Sequence, residues 1–235
     1  MNDDALGVFV NHQGGTTPEL WASRYVPGDG WDASVPIADG GSYIYSHRVA
    51  VDLAGNAMCV WNETFDGGPS YVLWNRFTPD GGWEGVKPIQ GVPAYERSSP
   101  DVAANAAGLT YATWLERTTL GHSSRAFVAR YVPGVGWDDA GVVSGAAPAL
   151  SAHVGVDAAG GVFLFWVEYV GSNKVLWRQR RLADAGWSAA ESFDRGSTLF
   201  GDQVDFAVSP SGKAIAAWTE TTDAGQKRLA ISVCR

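Results

Sequence analysis

The chain has 235 residues, with 25 acidic against 17 basic side chains and a formal net charge of −8. That length allows a substantial buried core. The basic residues lie singly, apart from "RQRR" at 178–181, which excludes the clustered positive surface that nucleic acid needs.

Taken in chain order, the segments repeat. "ALGVFVNH" (5–12) reads as a strand, followed by "ELWASRYVPGDGWDASVPI" (19–37). A fuller version comes next, "HRVAVDLAGNAMCVWNE" (47–63) and "YVLWNRFTPDGGWEGVKPI" (71–89). The third copy is "PDVAANAAGLTYATWLE" (100–116) with "RAFVARYVPGVGWDDAGVV" (125–143). The fourth is "AHVGVDAAGGVFLFWVE" (152–168) with "KVLWRQRRLADAGWSAAESF" (174–193). The fifth opens as "QVDFAVSPSGKAIAAWTE" (203–220) and reaches Arg235 one strand short. A Trp-x-Glu triplet recurs at Trp61, Trp114, Trp166 and Trp218; in the first copy "VNH" at 10–12 is read in its place.

Each complete unit holds four strand-like runs, a to d, marked by period-2 alternation and Gly-bearing turns. An Asx-type turn joins a to b at Asp52–Gly55, Asn105–Gly108, Asp157–Gly160 and Ser209–Gly212. A Gly-Trp pair marks the c–d turn at Trp31, Trp83, Trp137 and Trp187, while Trp21, Trp74 and Trp177 lie on strand c. Four-stranded units of about 50 residues are the signature of β-propeller blades, which bury large side chains between neighbours. The expected fold is therefore all-β, a single propeller domain over 1–235 of about five blades. Its units fall near 1–40, 41–93, 94–146, 147–198 and 199–235. The first unit lacks its innermost strand a and the last its outer strand d, so both end blades are expected to be incomplete.

In repeat length, strand pattern and Gly-Trp turns the chain resembles bacterial tandem-repeat propellers of the lectin-like kind. The sialidase Asp box and the WD signature are absent. The resemblance implies a secreted or cell-surface protein and a glycan partner. The N-terminus itself carries no apolar signal core, so the compartment stays open.

The b–c and d–a loops share one end and vary between copies, which marks that end for binding. The triplet glutamates Glu63, Glu116, Glu168 and Glu220 point there, with two readings: they accept loop N–H groups, or they accept sugar hydroxyls. In the second case Tyr43, Tyr45, Phe65, Tyr71, Tyr95 or Phe200 supplies a ring face for the sugar. Arg24, Arg76, Arg130 and Arg180, seven residues before each Gly-Trp tryptophan, read as ion pairs or carbonyl clamps near the Asx turns.

Cys59 and Cys234 form no disulfide framework or metal spacing and read as small buried apolar residues. The longest apolar run, 161–167, is too short for membrane insertion. The histidines His12, His47, His122 and His153 show no metal spacing, and neither a nucleophile elbow nor a phosphate loop occurs, so no cofactor or metal is expected. Asn62 of "NET" lies inside a strand and is discounted as a glycosylation site. The leading expectation is a non-catalytic carbohydrate-binding propeller with several similar weak sites, linked for avidity. The alternatives are a protein-interaction scaffold and, third, a glycoside hydrolase or lyase with an axial site. The closeness of the copies weighs against an enzyme, which would break its own symmetry. The open edge near 227–235 is expected to be covered by a second subunit or by further blades.

Overall fold

The computed structural model describes residues 5–12, 17–38, 43–65, 67–90, 96–117, 123–138, 141–182, 186–193, 198–222 and 224–234; side chains at 198–203 lie outside the description. The described residues form five antiparallel sheets and no helix. Each sheet is one blade. In blade 2 the strand order is a (Tyr43–Val51), b (Ala57–Thr64), c (Ser70–Thr78), then two short outer segments, Gly82–Trp83 and Lys87–Pro88. Blade 3 repeats this with Arg97–Ala104, Thr110–Arg117 and Ser124–Val132, and blade 4 with Ala149–Val156, Val162–Val170 and Asn173–Arg181. Blade 5 has a, b and c at Thr198–Val208, Ala214–Thr221 and Lys227–Cys234. Blade 1 begins at b, Ala5–Asn11, with c at Glu19–Val26. In blades 1 and 2 strand d is broken: the Gly-Trp pair folds back onto c, as in Tyr25↔Trp31 and Phe77↔Trp83, and a separate short segment pairs further along.

The a–b turns form as their residue types dictate. Gly55, Gly108, Gly160 and Gly212 all take positive φ, and each N–H reaches the carbonyl three residues back, at Asp52, Asn105, Asp157 and Ser209. Adjacent turns also bond: Asn105 Nδ2 donates to the Asp157 carbonyl at 3.0 Å, and the Leu53 N–H to the Ala106 carbonyl at 3.3 Å.

Four apolar cores join the blades in succession, and each holds one triplet tryptophan: Trp61 between blades 1 and 2, Trp114 between 2 and 3, Trp166 between 3 and 4, Trp218 between 4 and 5. All four are buried. Three of the four indoles are tied down within the triplet. Trp61 Nε1 donates to Glu63 at 2.9 Å, Trp166 Nε1 to Glu168 at 3.3 Å, and Trp218 Nε1 to Glu220 at 3.1 Å. Residues i and i+2 share a strand face, so the glutamate satisfies the one polar atom that burying the indole would orphan.

Pairing corrects the first copy. Phe9 lies opposite Trp21, ten residues before Trp31, just as Trp61 lies opposite Leu73, ten before Trp83. Phe9 and Asn11 therefore occupy the Trp and Glu positions, one residue earlier than the "VNH" reading. An all-apolar strand offers no phase of its own, and only the partner strand sets it.

Trp166→Ala is expected to cost about 3–5 kcal/mol, as for other large aromatic side chains removed from a core. Glu168→Leu should cost about 1–3 kcal/mol by leaving the Trp166 indole and the Gly145 N–H without an acceptor. Glu168→Gln should cost less. Denaturant titration of the three variants checks the order.

Candidate functional site at the propeller axis

The inner strands of blades 2 to 5 converge on a cavity of about 410 Å³. Each of these strands carries a register shift: between Ile44 and Ser46, Ser98 and Asp101, Ala149 and Ser151, Leu199 and Val204. Bulges re-aim side chains, and all four lie at the same height in their strands. Packing is tight just past them; a Cβ on Gly155 would sit 2.3 Å from Val208 Cγ2 of the next inner strand.

One level of this cavity breaks the repeat. Arg48, Asp101, His153 and Asp205 pair with Val60, Thr113, Phe165 and Ala217, in each case the residue before a triplet tryptophan. They are four equivalent positions, one per blade, carrying a cation, a carboxylate, an imidazole and a second carboxylate. Asp101 is the hub. Its Oδ2 accepts from the Val154 N–H at 3.3 Å and lies 3.3 Å from His153 Nδ1; its Oδ1 accepts from the Val102 N–H at 2.9 Å and faces Arg48 Nε at 3.9 Å. Asp205 is exposed in the cavity and has no hydrogen-bond or ion-pair partner among the described residues.

Ser99 lines the same cavity with φ of 51°, the positive-φ non-glycine residue among those described. A serine before a proline disfavours this conformation, and such strain concentrates at functional sites. Through Ser46 and Ser99 the cavity continues into a second cleft of about 460 Å³ between blades 2 and 3, bordered by Tyr45, Asn62, Ser70 and Arg97.

Blade 3 departs from the others here as well. Glu116 turns from its tryptophan to accept Arg97 Nε at 2.8 Å, and Trp114 Nε1 is left buried without a partner. Arg97 also donates to the Gln90 carbonyl at 3.1 Å and is itself buried.

The other sequence-marked residues fall in different places. Glu63, Glu168 and Glu220 are buried inside the scaffold, and Glu220 further accepts Arg228 at 2.6 Å. Their strand ends point toward the variable loops, but the carboxylates turn inward because each indole needs an acceptor. Tyr43 and Tyr45 stand exposed, ring centroids 6.1 Å apart, with Tyr45 at the second cleft. Phe65 meets Tyr71 edge-on at 5.7 Å, away from the axis. Tyr95 lies outside the described residues; Phe200 lies in the last inner strand, its side chain outside the description. Of the recurrent arginines, Arg76 bonds Glu84 at 2.6 Å and Arg180 lies 3.5 Å from Asp157 and over the Phe163 ring, both structural roles. Cys59 and Cys234 are free and buried, and burial pushes the Cys59 thiol far up.

No family model matches the chain, and a search of curated proteins returns no match. Solved structures share the fold. A protein of unknown function from Dyadobacter fermentans matches with a TM-score of 0.60 at 12% identity, over 97% of this chain and 75% of that one. A thermostable family-43 glycoside hydrolase matches at 0.52 and 11%, over 98% and 89%. An α-L-arabinanase from Penicillium chrysogenum, solved with arabinobiose, matches at 0.50 and 13%, over 81% and 62%. The chain is a five-bladed β-propeller.

These findings correct the lectin-like expectation. The fold is shared with glycoside hydrolases, and three of the four glutamates meant to furnish equivalent open sites are buried on their own tryptophans. The copies differ from one another at the axial level and again in blade 3, at Glu116 and Trp114.

The Arg97–Glu116 pair makes an asymmetric prediction. Glu116→Leu removes the acceptor of the buried Arg97 Nε and should cost about 1–3 kcal/mol. Arg97→Met should cost clearly less, because Glu116 can rotate to the waiting Trp114 indole as in the other blades. Equal losses in thermal unfolding would contradict this.

Proposed function

We propose that the chain hydrolyses glycosidic bonds in the axial cavity, with Asp101 and Asp205 as the working carboxyl pair. The observation that carries this reading is the level of Arg48, Asp101, His153 and Asp205, where four otherwise similar blades place four different side chains around one open cavity. Glycoside hydrolysis needs two carboxyl groups flanking one bond. Asp205, without a protein partner among the described residues, donates a proton to the leaving oxygen as the bond from the anomeric carbon breaks. Asp101, oriented by His153 and two backbone N–H groups, takes the proton of the water that adds to that carbon. Arg48 is placed to bind ring hydroxyls, and Tyr45 offers a stacking face where the cleft widens. The arabinobiose bound by the Penicillium chrysogenum fold relative supports a glycan as the ligand class and arabino-oligosaccharides as first substrates to try.

The test is turnover of chromogenic aryl furanosides and pyranosides and of arabino-oligosaccharides. Asp205→Asn and Asp101→Asn are each expected to lower the rate by about 10²–10⁴-fold, the usual contribution of a general acid or base. Asp205→Asn should unfold within about 0.5 kcal/mol of the parent, since its side chain is exposed. Unchanged turnover in both variants, or none from the parent across the panel, would overturn the assignment.

A further inference from the structure

Blades 2 to 4 share one edge logic. The inner edge of strand b pairs with strand a, and the outer edge of strand c pairs with a short outer segment. Among the described residues, each kind of edge has one instance without a neighbour. Among the described residues, Ala5–Asn11 of blade 1 pairs only with its strand c, and Lys227–Cys234 of blade 5 pairs only with its strand b.

The faces beside these edges are apolar and open. On blade 5, Ile215, Leu229, Ile231 and Val233 share one face by register, with Leu229 66% and Val233 63% exposed. The opposite face of that sheet packs on blade 4 through Ala214, Ala216 and Trp218. On blade 1, Phe9, Trp21, Tyr25 and Trp31 share the face away from blade 2, with Trp31 59% exposed. Every joined pair of blades buries one face of each of these two kinds, and among the described residues no such core joins blade 5 to blade 1.

We propose that this opening is a docking site for one extended polypeptide segment, which adds an outer strand to blade 5 and an inner strand to blade 1. One segment suffices because the chain itself always runs from the outer segment of one blade into the inner strand of the next, as from Gly136–Trp137 to Ala149–Val156. The existing examples define its chemistry: a Gly-Trp turn, a polar connection, then an alternating strand whose apolar side chains face the neighbouring sheet. Unpaired edges take up such segments by main-chain bonding, and pockets for alternate side chains set the choice. The donated inner strand also brings a fifth side chain to the level of Arg48, Asp101, His153 and Asp205, which blade 1 leaves unsupplied among the described residues. That last clause rests on the axial reading; the docking does not.

The experiment uses the whole chain and a synthetic peptide of residues 134–156, the chain's own outer-to-inner segment. Calorimetry should show saturable one-to-one binding. Hydrogen exchange should show protection gained at Ala5–Asn11 and Lys227–Cys234 and little change in blade 3. Ile231→Lys, on an exposed side chain, should fold as the parent does and weaken binding at least 10-fold. Three outcomes would overturn the proposal: no binding, binding without protection of those two strands, or edges already protected in the free protein. Protection that disappears on dilution would assign the opening to a second copy of the chain instead. Because none of these readouts is turnover, failure of docking is distinguishable from failure of the axial assignment.

Discussion

Giving a buried indole N–H an acceptor is the device that organises three of the four joints of the propeller. Each joint between blades is filled by a large side chain from strand b, and burying it without an acceptor would cost a few kcal/mol. Placing glutamate two residues later puts an acceptor on the same face without help from another blade. The bond is local, so the unit can be copied. The joint is non-local, so the copies must stack.

Regular joints leave the axis free to vary. At the bulged ends Ile44, Ala149 and Val204 join the cores, but the charged side chains facing the cavity belong to none of the four, so their identity is not dictated by the joints. That is where the molecule holds Arg48, Asp101, His153 and Asp205, together with the backward φ of Ser99. Blade 3 carries several of the departures at once. Its glutamate is withdrawn to Arg97, its indole is left unsatisfied, and its serine is strained. Of these residues, Ser99 borders the axial cavity and its side cleft, and Arg97 borders the cleft.

The blades were legible because their devices are local. Asx turns, Gly-Trp pairs and Trp-x-Glu triplets announce themselves within a few residues. The first copy slipped by one residue because Val8, Phe9 and Val10 give no phase until Trp21 lies opposite. The glutamates stayed open between loop acceptors and sugar acceptors because strand direction predicts where a backbone ends, not which way a long side chain folds back. The axial residues carried a usable signal that repeat similarity concealed. Each stands thirteen residues before its tryptophan, in a column that reads Arg, Asp, His, Asp. A column of mixed charges inside a conforming repeat marks broken symmetry, whereas searching for conforming residues discards it.

We propose that function sits at the axis and not on the repeating glutamates. The most direct measurement is an amide-resolved NMR titration of the isotope-labelled protein with arabino-oligosaccharides. The account predicts shifts clustered on Ser46–Arg48, Ser99–Asp101, Ser151–His153 and Val204–Asp205, extending to Tyr45. Shifts gathered instead around Glu63, Glu168 and Glu220 in equal measure, with the inner strands silent, would contradict it.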